Sequence, residues 1–240
     1  MPLFRHPSPG RTAIHVFLGL LTALALCGAE PKAPPASPAL PAATPSALDS
    51  DAQGWIDLLS QPDLRDWRRE RFPATKPLGE SNPWKLDAMA GILRCEGTGV
   101  HEMLLHRPAR GDGIFHAEFR FVGPSAKPNS GLFVRTSPDA ATWYQAQLTP
   151  TGLGMLFGQV TTGDAKPKRV SAGARYPGLM RPNGEWNVME ITCRGAEVTI
   201  WVNGHVTAQA TSLVTPQGHI GLEAEFNPVE FRQLKFKPLP

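Results

Sequence analysis

Six residues in the middle of the chain have side chains suited to binding a sugar. They lie at the entry or on the polar side of two predicted strands, at 129–135 and 143–148. Amide and guanidinium groups hydrogen-bond sugar hydroxyls, and aromatic rings pack on the apolar face of a pyranose. The alternatives are an ordinary antiparallel pair with a wetted outer face and, for the first two residues, capping of a turn. The six residues are Asn129, Ser130, Arg135, Trp143, Gln145 and Gln147.

Two acids, Glu223 and Glu225, lie on one face of a later predicted strand. Because they are two residues apart, they point the same way and stand about 7 Å from each other along the strand. They are either functional carboxylates or solvated surface acids. The apolar residues of this strand are predicted to face the core, and they are Ile220, Leu222, Ala224 and Phe226.

The elements that must position these residues are short strands. About a dozen of them follow one another at a spacing of roughly 8–12 residues, which is typical of a β-sandwich. Asn203-Gly204 between two alternating runs predicts a hairpin, and a phase shift near Arg232-Gln233 predicts a β-bulge. The chain has 23 Gly, 25 Pro and only 19% charged residues. We therefore predict an all-β fold of two antiparallel sheets.

Residues 1–29 have the pattern of a signal peptide, which predicts export to the periplasm or the extracellular space. Arg5 and Arg11 precede an apolar run of about 12 residues, which is too short for a membrane span. Small residues favour cleavage after Ala29. The alternative is a lipoprotein anchored through Cys27, and apart from such an anchor no membrane contact is expected.

Residues 30–52, rich in proline and alanine, are predicted to form a disordered spacer before a folded domain at 53–240. Without the signal peptide, 22 basic residues stand against 21 acidic ones, and no basic stripe remains. Nucleic acid is therefore excluded as a partner, and a monomer is expected. Cys95 and Cys193 either pair or serve as small buried hydrophobes.

The order of motifs along 53–239 resembles the 3-keto-disaccharide hydrolase family, a bacterial family with a concanavalin A-like jelly-roll fold. Each motif is weak by itself, whereas their joint order is specific. The motifs are Gly54-Trp55 through Leu64 and Trp67, Phe119-Arg120-Phe121, Asn129 to Arg135, Tyr144 to Gln147, Gly184 to Asn187, Ile200 to Gly204, Gly218 to Leu222 and Pro228 to Arg232.

The resemblance implies cleavage of a glycoside whose sugar carries a ketone at C3. A base removes the acidic C2 hydrogen, the C1 substituent is expelled, and water then adds to the enone. Glu225 and Glu223 would act as base or acid, and Arg135 would stabilise the enolate. No cofactor is predicted, and a bound calcium remains open. The alternative is a non-catalytic carbohydrate-binding module of the same fold, with an oligosaccharide or glycoside as its partner.

Two departures from the family pattern concern the acid/base groups. Gln145 stands where members often carry a carboxylate, and residues 223–225 read Glu-Ala-Glu where many members carry an Asp-His pair. An imidazole is therefore missing from the late strand. His101, His106 and His116 are able to replace it, but their scattered positions favour incidental histidines.

Overall fold

The computed structural model describes residues 38–240 apart from residues 74, 98, 100, 125–127, 162 and 164–165. The predicted signal peptide and Cys27 lie outside the described residues. Within the described part, no helix has the length and apolar character needed to cross a membrane. The elements found there are α1 (Ala47–Ser50), β1 (Ile56–Asp57), β2 (Trp67–Arg71), β3 (Trp84–Asp87), β4 (Ile92–Cys95), β5 (Glu102–His106), β6 (Gly113–Phe121), β7 (Ser130–Thr136), β8 (Trp143–Leu148), β9 (Leu156–Val160), β10 (Lys168–Ala172), β11 (Asn187–Arg194), β12 (Glu197–Val202), β13 (His205–Thr211), β14 (His219–Ala224) and β15 (Val229–Pro238).

The strands form two antiparallel sheets. A seven-stranded sheet has the order β10-β9-β8-β7-β14-β5-β2. An eight-stranded sheet has the order β13-β12-β11-β6-β15-β4-β3, and β1 pairs with β15 at one end. Strands distant in sequence lie side by side, as β14 does between β5 and β7. The predicted concanavalin A-like jelly-roll β-sandwich is confirmed.

The core lies between the sheets and is built by alternation along the strands. In β6, Phe115, Ala117, Phe119 and Phe121 are almost fully buried. Burying a large apolar side chain stabilises the fold by about 1.5–3 kcal/mol. The seven-stranded sheet sends alternate residues of β7, β8 and β14 into the same core. Its other residues therefore remain for the outer face.

Arg135 does not lie on this outer face, and its predicted placement there is wrong. His219 pairs with Thr136 and Gly221 with Phe133, so two residues of β7 oppose one residue of β14. This β-bulge, in which Arg135 has a φ of 52°, turns its side chain into the interior. There the guanidinium donates to Oδ1 of Asp112 at 2.6 Å. Arg135 thus holds a structural ion pair.

Two other irregular points were predicted correctly. The register between β15 and β6 shifts between Arg232 and Lys235, and Gln233 there has a φ of 50°. At the turn between β12 and β13, Asn203 and Gly204 have φ values of 46° and 103°. Both are left-handed conformations that favour asparagine and glycine in a hairpin.

Phe226 was predicted to face the core, but it is 72% exposed. The prediction assumed that alternation continues to the end of the segment. In the structure β14 ends at Ala224, and the backbone beyond that residue no longer follows the pleat. The ring therefore stands at the surface, beyond the end of the strand.

The predicted spacer is too long at its C-terminal end, because residues 41–51 lie against the eight-stranded sheet. Backbone N–H groups at the start of α1 donate to the Glu190 carboxylate, the shortest at 2.7 Å from Ala47. The Thr44 N–H donates to the Gly204 carbonyl at 2.7 Å, and the Trp201 indole donates to the Thr44 hydroxyl at 2.9 Å. The described folded unit therefore includes this segment.

Cys95 and Cys193 are free and buried. Of the two readings left open by the sequence, the structure supports small buried hydrophobes. Burial raises the pKa of each thiol to about 11. Both cysteines belong to the core between the sheets.

Candidate active site

A cleft of about 600 Å³ lies on the outer face of the seven-stranded sheet. Its floor comes from side chains of β8 and from residues at and just beyond the end of β14. Loops that carry Phe72 and His101 form part of its wall. A volume of this size falls in the usual range of ligand sites, about 300–1,000 Å³. The sequence-predicted residues that line it are Asn129, Trp143, Gln145, Gln147, Glu223 and Glu225.

One side of the cleft is an aromatic wall. Phe72 meets Trp143 edge to face with ring centroids 5.1 Å apart, and it meets Phe133 at 5.3 Å. The three rings belong to a second apolar cluster, separate from the core between the sheets. Edge-to-face contacts of this kind fix ring orientation. Trp143 and Phe72 both line the cleft, and their mutual contact holds the two rings in place there.

Beside this wall lies a cluster of three titratable groups, His101, Glu223 and Glu225, and the His101 ring meets Phe72 edge to face with centroids 4.8 Å apart. The Nε2 atom of His101 lies 2.5 Å from Oε1 of Glu223 and 3.2 Å from Oε1 of Glu225. Glu223 is only 2% exposed. The two carboxylates therefore share one imidazole nitrogen at the edge of the solvent.

The environment of the cluster shifts two of its pKa values. Burial raises the pKa of Glu223 to about 7; the charge of Glu225 adds to this, while hydrogen bonds from His101 and Gln145 oppose it. Burial lowers the pKa of His101, but its hydrogen bond to Glu223 and the two carboxylate charges outweigh burial. The pKa of His101 therefore lies above its ordinary value. Near neutral pH the cluster can both hold and release a proton.

Amide side chains hold the carboxylates in place. Gln145 on β8 donates to Oε2 of Glu223 at 2.5 Å. Gln147 donates to Oδ1 of Asn129 at 2.6 Å, and Asn129 in turn donates to Glu225. Each carboxylate thus receives an amide donor in addition to His101. Part of the polar face predicted for sugar binding is used to orient the acids.

A glycine makes room for one of these amides. Gly131 on β7 pairs with Gln147, next to Gln145 along β8. A Cβ atom at position 131 would lie 2.1 Å from Nε2 of Gln145, far inside contact distance. The Gln145 side chain therefore depends on glycine at this position.

Ser130, which was predicted to bind substrate, has a different role. Its side chain is fully buried, and its hydroxyl donates to the backbone carbonyl of Glu223 at 2.8 Å. A substrate in the cleft cannot reach it in this arrangement. The prediction is corrected, because Ser130 ties β7 to β14 beneath the acid cluster.

His101 is the site residue that the sequence did not single out. It precedes β5, and β14 pairs with β5 so that Ala224 stands opposite Glu102. One residue beyond this pair of residues, along the same two antiparallel segments, His101 lies beside Glu225. In sequence the residue is one scattered histidine among several, and only the strand pairing reveals its neighbours. His106 lies elsewhere, with its ring against Trp67, and His116 binds Glu190 on the eight-stranded sheet.

The same three side chains are spaced to hold a divalent cation, because their ligand atoms lie within 4.8 Å of one another. Calcium takes about six to eight oxygen ligands, so a set of one imidazole and two carboxylates suits it poorly. A transition metal accepts this mixture of donors better. It would have to displace the hydrogen bond between His101 and Glu223.

The fold and the cleft can now be compared with known proteins. Residues 54–237 match the model of the 3-keto-alpha-glucoside-1,2-lyase-like domain. The chain belongs to this family. The resemblance to 3-keto-disaccharide hydrolases is thereby confirmed. None of the curated proteins matches the chain in sequence.

Solved structures similar to this 3-keto-glucoside lyase-like domain share its fold. A candidate glycosyl hydrolase from Parabacteroides distasonis is 15% identical with a TM-score of 0.56, covering 83% of this chain and all (100%) of its own. A second one from the same organism is 17% identical with a TM-score of 0.52, covering 77% and 99%. A carbohydrate-binding module, CBM66 from Bacillus subtilis, is 12% identical with a TM-score of 0.50, covering 70% and 93%. The fold is therefore of a glycosidase-like or carbohydrate-binding type.

Proposed function

We propose that the protein cleaves 3-keto-glycosides by β-elimination across C1 and C2, followed by hydration. The observation that supports this most is the contact of His101 with both Glu223 and Glu225 in the cleft. Many family members carry an imidazole on the late strand, in the segment that reads Glu-Ala-Glu at 223–225 in this chain. His101 reaches the same place from the neighbouring strand. The missing acid/base group is thus supplied by another part of the chain.

The position of the two carboxylates favours elimination over ordinary glycoside hydrolysis. In ordinary hydrolysis two carboxyl groups flank the glycosidic bond and stabilise an oxocarbenium-like transition state. Here both carboxylates contact the same nitrogen atom of His101, so a base and a proton donor lie side by side. An elimination needs a base and an acid near adjacent carbons, and this arrangement provides both.

In the proposed first half-reaction, the Glu225 carboxylate takes the C2 proton, and the resulting carboxyl exchanges this proton with solvent before the second half-reaction. The electrons of the C2–H bond then form an enolate at the C3 oxygen. As the ketone re-forms, the C1–O bond breaks and protonated His101 gives its proton to the leaving oxygen. The products are the free alcohol and a sugar with a C1–C2 double bond beside the ketone. Glu223 holds His101 in position and favours its protonated form.

In the second half-reaction, water adds to C1 of the unsaturated ketone. Neutral His101 accepts a proton from the water, and Glu225 returns its proton to C2. The product is the free 3-keto sugar, and both side chains regain their starting states. One water molecule is consumed, so the net reaction is hydrolysis. Positioned proton transfer of this kind contributes about 10²- to 10⁴-fold to a rate.

The remaining cleft residues are assigned to holding the sugar. Gln147, whose Nε2 donates to Asn129, can pair with a hydroxyl through its amide oxygen, while Asn129 orients Glu225. Trp143 and Phe72 add an apolar surface to the same cleft. Gln145 acts through Glu223, which it contacts directly. Arg135 and Ser130 have no part in the reaction.

The alternative is a module that binds carbohydrate without cleaving it. The CBM66 likeness concerns the fold and leaves this alternative open. A sugar-binding surface does not require three titratable groups in mutual contact, one of them almost fully buried. This cluster favours the enzyme.

The test is turnover of methyl 3-keto-glucoside by the purified protein in D₂O. We expect release of methanol and deuterium at C2 of the 3-keto sugar, because elimination and hydration exchange that position. A parallel sample without protein corrects for spontaneous exchange. Release without deuterium would indicate ordinary hydrolysis. No release, together with measurable sugar binding, would establish the binding module.

We also propose that the protein is exported and acts as a monomer. The basic and apolar pattern of residues 1–29 supports export. The mass of the protein recovered from the producing cells distinguishes cleavage after Ala29 from lipidation at Cys27. An N-terminus that retains the apolar run would contradict both.

A further inference from the structure

A second cavity of about 670 Å³ adjoins the cleft. Asn129 and Glu225 line both, so they form the boundary between them. Each space is large enough for one ring-sized ligand. The residues that line the second cavity but not the cleft are Pro128, Thr149, Pro150, Thr151, Phe226 and Asn227.

Phe226 gives this second cavity an apolar surface. The chain leaves the sheet after β14, and the Phe226 ring is 72% exposed. A single exposed aromatic residue is common on protein surfaces. Here, however, the ring lines the same cavity as Pro128 and Pro150. Together the three side chains form an apolar patch directly beside the acid cluster.

Most polar groups at the boundary of the second cavity already have partners. Asn129 donates through its side chain to Glu225, and its backbone N–H donates to Oδ1 of Asn227 at 3.2 Å. The hydroxyls of Thr149 and Thr151 supply the other polar side chains. A sugar ring carries several hydroxyls that each need a partner, whereas an apolar ring needs contact area. The lining suits an apolar ring better.

The position of Glu225 between the two cavities determines which part of the substrate lies in each of them. His101 and Glu223 line the first space only. The sugar that loses its C2 proton therefore belongs there, and its C1 substituent extends past Glu225. On this geometry the second cavity receives the leaving group.

We propose that the second cavity binds the leaving group of the substrate and that Phe226 makes it selective for an aglycone with a planar apolar ring. The inference rests on the proposed function, since it assigns the two sides of the same reaction. Phe226 acts here as a specificity-determining residue through contact with the aglycone. The substrate class is then 3-keto-glycosides of aromatic or aryl-alkyl alcohols.

The test compares 2-phenylethyl and ethyl 3-keto-glucosides, whose alkoxide leaving groups are similar but only one of which carries a ring. In the wild-type protein we expect kcat/KM to be about tenfold higher for the 2-phenylethyl compound, the size of a good aromatic contact. In Phe226→Ala this ratio should fall to about one. Phe226→Tyr, which keeps the ring, should retain it.

Met89→Ala is the matched control, because Met89 is a fully exposed apolar side chain that lines neither cavity. Its ratio should equal that of the wild type. A ratio in Phe226→Ala that stays near ten would overturn the proposal. So would a Phe226-dependent preference for a 3-keto-disaccharide over both compounds, since the cavity would then be a sugar site.

The ligand preference of the second cavity can be tested even if the proposed function is wrong. If the wild-type protein turns over none of these compounds, calorimetric titration with 2-phenylethyl and ethyl glucosides measures the cavity directly. Tighter binding of the 2-phenylethyl compound that disappears in Phe226→Ala supports the second cavity as an apolar-ring site without catalysis. Equal affinities for the two glucosides contradict it.

Discussion

At the scale of single residues, the molecule concentrates its chemistry in one imidazole between two carboxylates. His101 contacts Glu223 at 2.5 Å and Glu225 at 3.2 Å, and these contacts hold the proton that the proposed reaction must move. The roles of the three groups differ because their surroundings differ. Glu223 is buried and bound by Gln145, whereas Glu225 lies at the boundary between two cavities.

Removing either proton-transferring side chain should lower kcat strongly and affect substrate binding little. His101→Asn and Glu225→Gln should each lower kcat on methyl 3-keto-glucoside by about 10²- to 10⁴-fold, the usual contribution of a general acid or base. KM should change much less. His205→Asn is the control, because His205 bonds the Pro41 carbonyl away from the cleft. Either cleft variant with more than a third of wild-type kcat would contradict its assigned role.

The raised pKa of Glu223 also predicts how stability depends on pH. Between its ordinary value of 4.5 and about 7 the folded protein binds more protons than the unfolded chain, so stability falls as pH rises. The raised pKa of His101 acts in the same direction, since the stability gained from its protonated form is lost as pH rises through that pKa. Glu223→Gln removes the carboxyl group, so the unfolding free energy of this variant should change less with pH.

Urea unfolding from about pH 5 to about pH 8 measures the effect, and the expected relative gain of Glu223→Gln at the higher pH is roughly 1–3 kcal/mol. Glu197→Gln serves as a control at an exposed carboxylate. Equal slopes for Glu223→Gln and the wild type would show that Glu223 titrates alike in the folded and unfolded states.

At the scale of elements, the site depends on the space that β7 leaves beside its neighbouring strand β8. Gly131 leaves the space that the Gln145 amide occupies, and Gln145 in turn orients Glu223. A strand glycine is usually a weak point for stability. Here it allows a polar side chain to lie flat across the neighbouring strand.

Gly131→Ala should therefore displace Gln145 and disturb the acid cluster. We expect a loss of about 1–3 kcal/mol in unfolding free energy from overpacking, and a fall in kcat of about tenfold. Gly111→Ala is the matched control, since a Cβ there would meet its nearest atom at 3.8 Å. Gly131→Ala with full activity would show that Gln145 does not position Glu223. Thermal unfolding and turnover on the same samples give both numbers.

The elements also show how far sequence can predict this molecule. Alternation along a strand is local, so it correctly predicted the faces of β6 and the polar side chains of β8. It failed at Arg135 because a bulge, which depends on pairing with β14, reverses the side chain. It failed at Phe226 because the strand ends two residues earlier. His101 could not be told apart from His106 and His116, since its partner Glu223 is 122 residues away.

At the scale of the whole molecule, the two sheets have different tasks. The seven-stranded sheet carries both cavities, whereas the eight-stranded sheet is covered in part by residues 41–51. This segment lies before the region matched by the family, which begins at residue 54. Its contacts include the buried Glu190 carboxylate, which also accepts from His116.

Deleting the chain through residue 51 should destabilise the protein without affecting catalysis. Glu190 would lose the two N–H donors from α1, and a hydrogen bond to a charged group contributes about 1.5–3 kcal/mol. A deletion through residue 40 is the control, since residues 38–40 are exposed. For the deletion through residue 51, denaturant unfolding should therefore show lower stability, while the turnover assay should show an unchanged kcat. An equal effect of both deletions would show that residues 41–51 add nothing to the fold.

The two core thiols have a consequence for where the protein can be made. Neither Cys95 nor Cys193 is bonded, and burial raises each pKa to about 11, which keeps both as unreactive thiols at physiological pH. The described domain therefore needs no oxidant and no disulfide isomerase to reach its native state. Its folding is indifferent to the redox potential of the compartment, so the reducing cytoplasm of an ordinary expression host suits it as well as the cell exterior.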